Sequence, residues 1–143
     1  MKAILDNLAR KVRDADFLHI AASAMHELAA MADAYNAVEP MLRLIEANEC
    51  VDFGAPGPLV HFVERFYRSG YEDKLVDSVR RSPTRHNLWM LNRMINAARA
   101  EEKEYLLTEL DQVVRRKDVT DNTREAARQF LSMHENRNGD KSN

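Results

Sequence analysis

The 143 residues are 45% apolar and 31% charged, enough chain and enough apolar side chain for one domain with a substantial core. A formal net charge of −2 supplies no overall field to draw in nucleic acid or an anionic membrane surface. Cys50 is the lone cysteine, which excludes an intrachain disulfide and fits a reducing compartment. Asp6 and Arg10 interrupt the segment where a signal peptide needs an unbroken apolar run. No stretch approaches the roughly 18 apolar residues of a membrane span. A soluble, cytoplasmic protein is expected.

The first helix is predicted from Met1 to about Arg13, with Ile4, Leu5, Leu8 and Val12 on one stripe. Asp14 or Asp16 can cap a second helix reaching about Ala32, with Phe17, Ala21, Ala24, Leu28 and Met31 inward. Asn36 or Glu39 opens a third, in which Pro40 is tolerable only in the first turn. Val38, Met41, Leu42 and Ile45 form its buried face. Next comes a stiff elbow, Phe53-Gly-Ala-Pro-Gly-Pro58, whose glycines allow unusual backbone angles and whose prolines fix φ. It feeds a helix over 58–68 with Leu59, Phe62, Val63, Phe66 and Tyr67 aligned, ended by Ser69-Gly70.

Tyr71 to Arg81 is a short helix on Tyr71, Leu75, Val76 and Val79, stopped by Ser82-Pro83. Thr84 caps the next, 85–98, which carries Leu88, Trp89, Met90, Leu91, Met94 and Ile95. A helix apolar on most sides must be covered on most sides, so 85–98 is the expected central helix, with Trp89 substantially buried. Glu101 to Lys117 places Leu106, Leu107, Leu110, Val113 and Val114 inward, its acids at the start and bases at the end, as a helix dipole favours. Asp121 to about His134 is the last helix, with Ala127, Phe130 and Leu131 inward. No apolar alternation suggests a strand. The expected fold is all-α: seven to eight short antiparallel helices, as a HEAT-like helical stack or a compact bundle. One domain over 1–135 is expected, with 136–143 a disordered polar tail.

Motifs for catalysis or metal binding are sparse. His26-Glu27 begins like a zinc-protease motif, but Ala30 stands where its second histidine belongs. His61 and Glu64 share a helix side at i, i+3, yet a carboxylate metal site needs a second such pair and the sequence has none. The acids around Cys50 (Glu46, Glu49, Asp52) disfavour a reactive thiolate, so a buried or idle thiol is expected. No catalytic residue, cofactor site or metal site is assigned.

Charge is segregated. Six acids stand against the single Arg43 between Glu27 and Asp52, whereas Ser78 to Ala100 holds five arginines (80, 81, 85, 93, 99) and no acid. Arg85, Asn92, Asn96 and Arg99 share one stripe of the 85–98 helix, suited to a hydrogen-bonded seam between helices or to answering the acids. Glu46, Glu49 and Asp52 crowd a helix C-terminus, where negative charge is unfavourable. They are the candidate partner-binding residues, placed to steer a basic protein.

Two phrases, Phe53-Gly-Ala-Pro-Gly-Pro-Leu-Val-His-Phe-Val-Glu64 and Trp89-Met-Leu-Asn-Arg-Met-Ile-Asn96, resemble those of bacterial immunity proteins from contact-dependent growth inhibition and related polymorphic toxin systems. Tyr71, Leu75 and Ser78, then Pro83-Thr84, support the likeness, which is to the all-α, HEAT-like group and covers about a third of the chain. The resemblance implies a non-enzymatic cytoplasmic protein that binds one cognate toxin domain and blocks its active site or partner surface. It carries over no catalytic or contact residue. The alternative is a helical-repeat scaffold that binds a host protein or nucleic acid through the arginine-rich 80–99 stretch.

Overall fold

The structure, a computed structural model, describes residues 1–139. Among them are eight α-helices, one 3-10 helix and no strand. In order they are α1 (Lys2–Lys11), α2 (Phe17–Ala29), the 3-10 helix (Ala34–Ala37), α3 (Val38–Ala47), α4 (Gly57–Glu64), α5 (Tyr71–Arg81), α6 (Arg85–Ala97), α7 (Ala100–Arg115) and α8 (Asp121–Gly139). The protein is all-α. Its internal contacts divide it into two compact units, Met1–Lys74 and Leu75 onward.

In the first unit α2 packs on α1 and α4, and α3 on the 3-10 helix and α4. The apolar stripes explain this, since Leu8, Phe17, Ala21, Leu28, Met41 and Leu59 are all buried. Val38, Met41, Leu42 and Ile45 turn inward from α3 together, as their spacing predicts, and Pro40 sits in its first turn. Aromatic rings join the helices edge to face, Phe17 against Phe53 at 5.9 Å and Tyr35 against Phe66 at 5.4 Å.

The elbow before α4 contains a cis Ala55–Pro56 bond and Gly54 at φ +95°. A Cβ on Gly54 would lie 2.5 Å from the Gly57 Cα, so no other residue fits there. α4 ends at Glu64, earlier than the 58–68 span its apolar spacing predicts. The chain turns instead through 65–70, where Arg68 adopts φ +64° and its N–H donates to the Glu72 carboxylate at 2.6 Å. Gly70, at φ +105°, closes the turn where a Cβ would strike the Tyr35 hydroxyl.

In the second unit α6, α7 and α8 pack on one another. Thr84 starts α6 with a capping box: its hydroxyl accepts from the Asn87 N–H at 3.1 Å, and the Asn87 side chain accepts from the Thr84 N–H at 2.7 Å. Leu88, Met90, Leu91, Met94 and Ile95 are buried, but Trp89 is not. Trp89 lies only partly covered, beside His86 and with the Arg93 guanidinium 5.4 Å from its ring. α6 is thus covered on most sides, as expected, and the face of Trp89 and Arg93 is its more open one.

The buried face of α8 also differs from the expected one. Thr123, Ala126, Ala127 and His134 are buried, while Phe130 and Leu131 are only partly so. The helix continues to Gly139, past the Asn136 where its apolar pattern stops, and Arg137 donates to the Asn96 side chain at 3.0 Å. The rest of the predicted tail, 140–143, lies outside the described residues.

Candidate partner-binding surface

α3 runs out at Ala47 with its last carbonyls facing the loop that holds the candidate acids. Asn48 relieves part of that polarity by donating its side-chain amide to the Leu44 carbonyl at 2.8 Å. Its backbone N–H bonds to Ile45, and the chain then turns through Glu49, Cys50 and Val51. Asp52 shapes the next step, accepting the Gly54 N–H at 2.8 Å and so setting the entry to the glycine elbow.

The three candidate acids separate in space. Glu49 and Asp52 are exposed on the loop and line one wall of a groove of about 660 Å³. The side chain of Glu46 is 8% exposed, on the flank of α3, with its carboxylate 3.9 Å from Arg43. Arg43 also reaches Glu39 at 3.1 Å, and Glu39 lies 3.6 Å from Lys74. The acids of α3 thus stand in a local ion-pair chain, and Glu49 and Asp52 line the groove.

The opposite wall of the groove is the turn from α1 into α2, with Val12, Arg13, Asp14 and Leu18. Asp14 accepts the Asp16 N–H at 3.0 Å, holding that turn, and lies 3.9 Å from Lys11. A second, adjoining groove runs between α1 and α3 and shares Val12, Ala47 and Asn48. Cys50 is exposed at the rim, so its thiol is not a core residue, contrary to one of the two expectations.

The arginine stretch resolves into separate tasks. Arg80 makes a two-pronged bond to Glu109 at 2.5 and 3.1 Å and also reaches the Tyr105 hydroxyl at 3.2 Å. The Glu109 carboxylate drives the Arg80 pKa further above its ordinary value. Glu109 is 3% exposed, which apolar periodicity gives no way to anticipate. Asn92 and Asn96 of the polar stripe do form a seam. Asn92 meets His134 at 2.7 Å, and Asn96 accepts from Arg137, both from α6 to α8. Arg85 and Arg99 are exposed, Arg99 as the residue preceding α7.

A further network closes the end of α7. Arg116 pairs with Asp118 at 2.7 Å and donates to the Arg80 carbonyl at 2.8 Å, while Arg124 donates back to the Arg116 carbonyl. The hydrogen bond from Arg116 holds the Asp118 carboxyl down to about 2.

His61 is exposed on α4, and its neighbour Glu64 accepts a bond from the Tyr67 hydroxyl at 2.7 Å. Among the described residues no group of three or more His, Cys, Asp and Glu is arranged to hold a metal ion. Nor is any described helix long and apolar enough to cross a membrane. Comparison with protein families, curated proteins and solved structures finds no match.

Proposed function

We infer that the chain is an immunity protein that binds a cognate toxin domain in the cytoplasm and neutralises it by binding, without catalysis. The observation that carries this reading is the groove at the end of α3. Its rim bears Glu49 and Asp52, exposed and next to the elbow phrase that resembles immunity proteins. Acids on an accessible wall raise the encounter rate with a basic partner, and nuclease-type toxin domains that grip nucleic acid are basic. The elbow supports the reading too, because Asp52 and Gly54 hold the acidic wall in one conformation and reduce the ordering cost of binding.

The test is to express the chain with the C-terminal domain of the large toxin gene expected directly upstream. The pair should co-purify, and cells lacking the chain should die on toxin expression. Charge reversal at Glu49 and Asp52 to lysine should slow association by about tenfold at low salt and weaken its salt dependence. A gene neighbourhood without a toxin, together with no rescue of any candidate toxin, would sink the reading. Binding lost on reversing Arg85 and Arg99 instead would favour the scaffold that acts through the arginine stretch.

A further inference from the structure

The groove is more than an acidic edge. Val12, Phe17, Ala47 and Val51 supply apolar lining, and Leu18, at its mouth, is 39% exposed although it stands one residue into α2. Large apolar side chains exposed to that degree are few among the described residues; Tyr105 and Met133 are the others, both in the second unit. Charge is uneven around this floor. Three carboxylates line it, Glu49 and Asp52 on the α3 side and Asp14 on the α1 side, against the one guanidinium of Arg13. A volume of about 660 Å³ exceeds the needs of one side chain and suits a short stretch of peptide.

We propose that this groove takes a segment of the partner protein in which an apolar side chain of leucine size is flanked by a lysine or arginine. The apolar side chain covers Leu18 and Val51, and the cation lies against Glu49 and Asp52, away from Arg13. The inference rests on the immunity reading for the identity of the partner, but the chemistry of the groove does not depend on it. Apolar contact supplies the affinity here, and the two carboxylates choose the sign of the neighbouring charge.

The probe is a set of three capped pentapeptides, Lys-Leu-Lys-Leu-Lys, Lys-Ser-Lys-Ser-Lys and Glu-Leu-Glu-Leu-Glu, titrated into the full chain labelled with nitrogen-15. The first should shift the amides of Leu18, Glu49 and Val51 saturably, with a dissociation constant of about 1 mM or tighter. The serine and glutamate peptides should bind at least roughly tenfold more weakly. Leu18→Ser should weaken the first peptide, and so should Glu49→Gln with Asp52→Asn, in which the asparagine keeps the oxygen that accepts the Gly54 N–H. Arg13→Gln should strengthen it. Equal response to the serine or glutamate peptide, shifts centred away from the groove, or no saturation would each overturn the proposal. Because no toxin enters this experiment, its failure leaves neutralisation of a toxin intact, and loss of toxin neutralisation leaves the peptide result standing.

Discussion

Up to Lys74 the buried residues are apolar or aromatic, with the Glu46 side chain the nearly covered exception, whereas from Leu75 onward Ser78, Thr84, Asn87, Glu109, Thr123 and His134 are buried among them. The first unit is held by Leu, Met, Val and Phe packed from α1 to α4, with aromatic edges between helices. The second adds bonds that only one geometry satisfies, from Arg80 to Glu109 and from Asn87 to Ser78, Ser82 and Thr84. Apolar burial is non-directional and forgives changes that keep volume and pattern. Polar burial is directional, and removing one partner leaves the other desolvated and unbonded. The two units should therefore fail differently.

The largest effect is expected at Arg80. Its side chain is half exposed (52%), but Glu109 is 3% exposed, so the two halves of the pair are not equivalent. Arg80→Met strands a buried carboxylate and should cost about 3–5 kcal/mol in urea denaturation. Glu109→Gln keeps an acceptor and leaves Arg80 in contact with water, and should cost only about 1–2 kcal/mol. The double variant Arg80→Met with Glu109→Leu should recover much of the first loss, as apolar replacements of buried pairs do. Equal costs for the two single variants would show that burial of Glu109 does not govern the pair.

The same contrast explains what was legible in the sequence. Val38, Met41, Leu42 and Ile45 declare themselves because apolar side chains at i, i+3, i+4 and i+7 have one economical place to go. Thr84 was legible as well, since a cap is a local bond between near neighbours. Glu109 and His134 were not, because periodicity assigns polar residues to solvent and their partners, Arg80 and Asn92, lie 29 and 42 residues away. Trp89 was legible as mostly covered, but not what covers it. An apolar pattern cannot show that a cation will serve as the cover, as Arg93 does. Of the candidate acids, Glu49 and Asp52 line a groove that no sequence pattern announces, and spacing could not show that Glu46 would turn to the flank of α3 beside Arg43.

Asn87 comes next in size. It is fully buried, closes the capping box and donates to the Ser82 carbonyl at 3.0 Å and the Ser78 hydroxyl at 3.3 Å. Asn87→Ala should cost about 2–3 kcal/mol, more than loss of an N-cap alone, because it also frees buried groups on the residues before α6. Amide exchange should quicken over 84–88 before the rest of α6. Uniform exchange along the helix would mean that the box does not anchor its start. Trp89→Ala should be milder, at about 1–2 kcal/mol, below the range for a buried aromatic, since this ring loses partial cover and one cation contact. Its fluorescence in the native protein should sit between the buried and exposed limits, and Arg93→Ala should move it towards the exposed one.

The smallest effect concerns His134, and its sign follows from the bond it makes. The Asn92 carbonyl oxygen accepts from Nε2 at 2.7 Å, so that nitrogen carries the proton, while Nδ1 is buried without a hydrogen-bond partner. A second proton would have to sit on Nδ1, out of water and near two cations. Burial first, and then Lys103 of α7 and Arg137 of α8, hold the pKa below the ordinary 6.5. The unfolded chain therefore takes up this proton more readily than the folded one. The contribution to stability is complete above about pH 6.5, declines as the pH falls from there towards the folded pKa, and changes no further below it. His134→Gln can keep a donor for Asn92 but cannot titrate. The stability difference between wild type and this variant, followed by denaturation from about pH 7.5 down to 5, should shift against the wild type as acid is added. A constant difference across that range would mean that His134 takes up its proton equally easily in the folded and unfolded chain, and that the buried seam between α6 and α8 does not exclude it.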